Sequence, residues 1–199
     1  MKLDELLKDL FDEHIFGETE GYAWVIEYQK RGLPHAHILV ILKHASDKPR
    51  TAEVIDKIVS TEIPHPDDPL HEIIKTGMIH GPCGHFNPNL ACMKKRTCQG
   101  KCCKGFPFPY AEESRIDPEG FPLYKRVPGG HTVCFGTKFK DENGNAATFD
   151  TRWVVPYNPY LSRKYAAHIN VEVSTSLKSL KYLYKYVYKG FDKAEGRGQ

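Results

Sequence analysis

Residues 22–42, YAWVIEYQKRGLPHAHILVIL, decide the fold. The run 22–29 is dense in aromatic and β-branched residues and reads as a strand. Gly32 and Pro34 punctuate a turn, and HAHILVIL at 35–42 reads as a second, largely buried strand. Together they predict an antiparallel hairpin. The two-residue period of a strand puts His35 and His37 on one face, with Ala36 beneath. Glu27 precedes His35 by eight residues and falls near it on the partner strand. Two imidazole nitrogens and one carboxylate oxygen leave coordination positions open for a phosphate oxygen and water, a Lewis-acid arrangement for phosphoryl transfer. Such mixed ligation accepts Mg²⁺ or Mn²⁺, and Mn²⁺ binds imidazole better. A histidine-triad nucleotide hydrolase needs a third histidine where Leu39 stands.

Upstream of the hairpin, Leu3, Leu6, Leu7 and Leu10 recur at helical spacing. Downstream, residues 51–61 predict a short helix with Thr51 as its N-cap. From 63 to 112 periodicity disappears, and prolines, glycines, histidines and cysteines dominate. This reads as a loop-rich insert in need of a staple. Short strands are expected within 123–135 and 137–155, with a polar turn at 142–145. The run 153–161 (WVVPYNPYL) reads as extended, and residues 166–173 alternate as a strand. A helix is expected from Ser174 to Gly190, followed by a frayed tail.

That last helix holds Tyr182, Tyr184, Tyr186 and Tyr188. At about 100° per residue, Leu177, Leu180, Leu183, Tyr184 and Val187 share one side, whereas Tyr182, Lys185, Tyr186 and Lys189 share the other. Tyr182 and Tyr186 thus lie one turn apart on a basic face. A phenol is a weak nucleophile because its pKa is near 10, and a metal or lysine ammonium nearby favours the phenolate. Lys185 and Lys189 are placed to neutralise a scissile phosphate. Basic residues interleaved with aromatics, among them Arg163, Lys164, Lys178 and Lys181, suit contact with single-stranded DNA.

The chain has 199 residues, 40% of them hydrophobic and 27% charged, with a net charge of +3. A packed core is expected and general disorder is excluded. No apolar run is long enough for a membrane span. Five of the six cysteines fall within the 21 residues from Cys83 to Cys103, just after His80. The amphipathic N-terminus does not read as a secretory leader, so clustered cysteines favour metal over disulfides. Soft thiolates with one imidazole select Zn²⁺ in a closed structural site.

These stretches resemble the HUH endonuclease superfamily, specifically the Rep nuclease domain of Helitron transposases. The resemblance rests on WVIEYQKRGLPHAHILVIL (24–42), MIHGPCG (78–84) with NPN and ACM following, RWVVPYNPYLSRKYAAHINVEV (152–173) and SLKYLYKYVYKG (179–190). It implies an α+β fold: a central antiparallel sheet carrying the histidine pair, flanked by helices, one bearing the tyrosines. It further implies metal ligation by His35 and His37, with Glu27 at the place of a third ligand. Tyr182 and Tyr186 are the implied nucleophiles, forming a 5′-phosphotyrosine on single-stranded DNA as in rolling-circle transposition. The family's insert spacing matches Cys83, Cys92 and Cys102; the fourth place is open to His80, Cys98 or Cys103, and His80 completes the working set. The expected organisation is 1–62 (helix and hairpin), 63–112 (Cys/His insert), 113–190 (remainder with the tyrosine helix) and 191–199 (tail). A nuclear location and a helicase module in the full-length protein are also implied. The family's upstream strand block, ending in Asn-Pro-x-Trp, and its GxxxxGK[ST] phosphate loop are not found in this sequence. The competing expectation is therefore a truncated, inactive DNA-binding remnant.

Overall fold

A computed structural model describes residues 2–28, 34–94 and 100–175. The chain divides into two compact units. One comprises 1–49, 118–121 and 174–199; the other comprises 50–117 and 122–173. Within the second unit the Cys/His segment shares a hydrophobic core with residues 133–157.

The first unit holds α1 (Lys2–Phe11), β1 (Thr19–Glu27) and β2 (His35–Leu42). Leucines at helical spacing give α1 its apolar face, and Leu10 is buried. Phe11 stacks on Tyr22 of β1 with ring centroids 4.0 Å apart. The strands β1 and β2 pair antiparallel, as expected, with Glu27 opposite His35 and Val25 opposite His37. At the open end, Glu18 binds both Lys43 and His44.

The second unit begins with α2 (Ala52–Ile58), whose N-cap Thr51 accepts from the Val54 N–H. Next comes α3 (Pro69–Gly77), which the sequence reading left as irregular chain. Asp68 caps α3 by accepting the Leu70 N–H at 2.8 Å, and Pro69 suits the first turn because it lacks an N–H to leave unpaired. Two minimal hairpins follow: β3 (Arg115–Ile116) with β4 (Pro122–Leu123), and β5 (Val133–Cys134) with β6 (Thr148–Phe149). The expected polar turn is present, with the Asp141 carboxylate accepting the N–H groups of Asn143 and Asn145. The last described helix, α4 (Pro159–Tyr165), replaces the end of the expected extended run. Its logic repeats that of α3: Asn158 accepts the Leu161 N–H at 3.0 Å and Pro159 opens the first turn.

The fold is α+β. Among the described residues, however, the sheets are three separate two-stranded pairs rather than one central sheet. Residues 166–173 pair with no strand there. They are held by single bonds, from Val171 N–H to the Pro156 carbonyl and from Val173 N–H to the Tyr124 hydroxyl. No helix among the described residues is long and apolar enough to cross a membrane.

The principal core gathers Ile63, Leu70, Ile74, Met78, Cys83, Val133, Ala147, Phe149, Trp153, Val154 and Tyr157. Phe149 sits against Phe86, Phe135, Phe139 and Trp153, mostly edge to face. Beside this core lies Arg126, only 3% exposed. Its guanidinium donates to the carbonyls of Thr151 and Val154 and stacks 4.8 Å above Phe108. Burial pulls Arg126 down to about 10, still charged at neutral pH. Replacing Arg126 with alanine removes the donor to a buried carbonyl and the stack together. The expected loss is about 2–4 kcal/mol, read by denaturant unfolding; a loss within about 0.5 kcal/mol would refute this role.

Asp68 also holds Arg163 of α4 by two bonds of 2.7 Å each. The Arg163 guanidinium, aided by the Leu70 N–H, takes Asp68 from 3.8 down to about 2. A depressed carboxylate stabilises the fold fully above its unfolded value and loses that contribution as the pH falls through the folded one. The α3–α4 tie is therefore expected to weaken only as the pH drops from 3.8 toward about 2. Carboxyl NMR titration of Asp68 with and without Arg163→Met checks this. The Asp68 midpoint should rise in the variant.

Candidate functional site

The hairpin brings together part of the first expected group. Because Glu27 pairs with His35 and side chains alternate, Glu27, His35 and His37 share one face. The closest approach is to His37, diagonally across the strands: its Nε2 lies 3.2 Å from Glu27 Oε2. Both side chains are partly buried, at 24% and 30% exposure. Two ligands of one octahedral ion at 2.0–2.1 Å lie about 3 Å apart, so this pair fits one edge of such a shell. The His35 ring does not complete a convergent trio, since the His80 group is where three or more ligand side chains gather among the described residues.

That group consists of His80, Cys83, Cys92 and Cys102, whose ligand atoms all lie within 4.8 Å of one another. Cys102 Sγ stands 3.3 Å from His80 Nε2. Zinc bonds of about 2.3 Å to sulfur and about 2.0 Å to nitrogen give tetrahedral edges of about 3.5–3.8 Å, so donors within 4.8 Å of one another need to close by at most about 1 Å to surround that ion. The group could hold a metal such as zinc.

Local structure explains the convergence. His80 N–H donates to the Trp153 carbonyl at 2.9 Å, which seats it on the core. Its ring stacks on Phe106 at 4.2 Å. Gly81 turns the chain toward Cys83 at φ +89°, and a Cβ there would lie 2.6 Å from the Cys83 nitrogen; only glycine fits. Cys83 is 1% exposed. Cys92 sits in a short 3₁₀ turn, and its carbonyl accepts the Cys103 N–H at 2.9 Å, drawing the two arms of the loop together. The Lys104 N–H points at Cys102 Sγ, 3.4 Å away.

Burial and the charge of Lys104 hold His80 below its ordinary value, which leaves the ring neutral and able to ligate. Burial pushes the Cys83 thiol up to about 12 and also raises Cys92. Burial opposes the Cys102 thiolate too, but N–H groups of Lys104 and Phe106 and the neighbouring thiols prevail and lower it. Three such thiols crowd together stably as thiolates only around a cation. Cys103 is disulfide-bonded and supplies no thiolate, which departs from the expectation of metal in place of disulfides. Cys98 lies outside the described residues.

Other expected site residues fall as follows. Arg163, assigned to DNA, has its guanidinium engaged by Asp68. Lys164 reaches the Tyr160 hydroxyl at 3.3 Å and lies 5.6 Å from the Tyr160 and Tyr165 rings. His168, given no role, donates to the Gly77 carbonyl. Lys178, Lys181, Tyr182, Lys185, Tyr186 and Lys189 lie outside the described residues. The sequence reading missed the support that Phe106 and the Lys104 N–H give the cluster. The aromatic–proline alternation FPFPY at 106–110 was the available signal.

The chain is thus α+β, with a histidine–glutamate contact on one hairpin and a convergent Cys/His group that could hold a metal. Residues 1–40 match the family model described as the Helitron helicase-like domain at N-terminus. The matched stretch takes in α1, β1 and most of β2, with Glu27, His35 and His37 inside it. That segment is similar to the N-terminal Helitron domain, and the match covers 40 of the chain's 199 residues. No curated protein matches it.

The Cys/His geometry predicts one equivalent of zinc per chain in native protein, measured by atomic spectroscopy. Cys83→Ser and His80→Ala should each lose it, and chelation should lower the unfolding temperature. Binding must displace protons from the raised Cys83 and Cys92 thiols, so the apparent affinity should fall as the pH is lowered. Native protein free of stoichiometric zinc would contradict the assignment.

Proposed function

We propose that this chain nicks and rejoins single-stranded DNA through a covalent phosphotyrosine, as an HUH-type nuclease of a Helitron transposase. The observation that carries the reading is the Glu27–His37 contact, with His35 in register opposite Glu27, inside the segment that matches the Helitron family. Mg²⁺ or Mn²⁺ at this pair would supply Lewis acidity to a non-bridging phosphate oxygen. The chain's own part is nucleophilic. The phenolate of Tyr182 or Tyr186 bonds to phosphorus as the P–O3′ bond breaks, and the 3′ oxygen leaves as a hydroxyl after taking up a proton. Lys185 and Lys189 offset the phosphate charge. Attack by a 3′ hydroxyl on the phosphotyrosine reverses the step and joins strands without ATP. In this reading the Cys/His group is a structural staple, Lys178 and Lys181 contact the strand, a helicase module acts with the domain, and the work is nuclear.

A second reading is DNA binding without nicking; the observation that favours it is that, among the described residues, three or more ligand side chains converge at the Cys/His group and not at the hairpin. One experiment separates the two. A labelled single-stranded oligonucleotide with Mn²⁺ should yield a covalent protein–DNA band that is lost in Tyr182→Phe/Tyr186→Phe and reduced at least about 100-fold in His37→Ala. A salt-sensitive shift with no covalent band would leave only the second reading.

A further inference from the structure

We infer that the rim of the Cys/His group, through Lys94, Lys101 and Lys104, is a phosphate-gripping surface for single-stranded nucleic acid. The inference builds on the DNA-handling reading above and assigns it a surface.

The first observation is compositional. Residues 73–111 contain no aspartate or glutamate, where the chain-wide frequency would place about five. The same stretch carries six lysines and arginines, five of them between Lys94 and Lys104. A solvated loop ordinarily mixes charge signs, and a single-sign field over this length favours a polyanion.

The second is geometric. Lys94 follows Cys92 by two residues, and Lys101 and Lys104 flank Cys102 and Cys103. Convergence of the Cys92 and Cys102 sulfurs within 4.8 Å, and the 2.9 Å bond from Cys103 N–H to the Cys92 carbonyl, bring both arms to one rim. All three lysines are exposed.

The third is their lack of carboxylate partners. Lys43, Lys57, Lys75, Arg152 and Arg163 each pair with a carboxylate within 3.2 Å. Among the described residues, Lys94, Lys101 and Lys104 do not. The loop continues into Phe106, Phe108 and the 43% exposed Tyr110, whose ring lies beneath the Arg152 guanidinium at 4.7 Å. Phe106 and Phe108 are engaged by His80 and Arg126, so the exposed Tyr110 is the aromatic of this run that a base beside the bound phosphates would meet.

Anisotropy of a labelled oligothymidylate across a salt series tests the surface. The full metal-replete chain is used in a Tyr182→Phe/Tyr186→Phe background, which removes covalent capture. Each phosphate contact contributes about 0.7 to the slope of log K against log salt, so Lys94→Ala/Lys101→Ala/Lys104→Ala should flatten that slope by about 2 and weaken binding. The exposed pair Lys138→Ala/Lys140→Ala should leave the slope unchanged. Metal content should equal that of the parent in both variants, which shows that the loop is intact. An unchanged slope in the triple variant, an equal flattening in the control, or no binding by the parent would each overturn the inference. Loss of the covalent-band reading would leave this slope untouched, so the two failures are distinguishable.

Discussion

The second unit depends on the hydrogen bonding of one short segment, residues 151–157. The Arg152 carbonyl takes the Phe108 N–H, the Trp153 carbonyl takes the His80 N–H, and the Val155 N–H reaches the Met78 carbonyl. Tyr157 exchanges both backbone bonds with Ser60. The carbonyls of Thr151 and Val154 go to the buried Arg126. The carbonyls of 151–154 and 157 and the N–H groups of Val155 and Tyr157 are thereby satisfied by groups distant in sequence, while the N–H groups of Arg152, Trp153 and Val154 close locally onto Asp150 and Thr151. His80 and Phe108, which bracket the Cys/His loop, are both fastened to this strip.

Anchored ends explain how a loop without periodicity acquires a defined shape. Its side chains add little apolar burial beyond Phe86, Leu90, Met93 and Phe106, and most of its turns are glycine-based. A four-donor group at its centre draws the loop upon itself, and bonds to one ion there would offset the entropy of closure. The hairpin of the first unit is the opposite case. Its strands register by alternation alone, and a one-residue slip would carry both imidazoles to the face that bears Tyr22 and Trp24.

What was legible in the sequence is what local physics governs. Aromatic and β-branched density on either side of the Gly32–Pro34 turn gave the hairpin and its pairing, leucine spacing gave α1, and Thr51 marked the start of α2. The helices α3 and α4 are too short to show periodicity and open on Pro69 and Pro159, although each proline follows a capping Asp68 or Asn158 and so marks a beginning. Residues 166–173 alternate like a strand but find no partner strand among the described residues; alternation supplies a face, and pairing needs a neighbour. Proximity of His80 to three cysteines could be guessed from their density. Exclusion of Cys103 could not, because disulfide geometry is a matter of three-dimensional approach.

The backbone passes between the two compact units at 49/50, 117/118, 121/122 and 173/174. Neither unit is a contiguous piece of sequence. Cutting the chain at any single position therefore severs at least one of them, so neither unit can be excised whole by a single truncation.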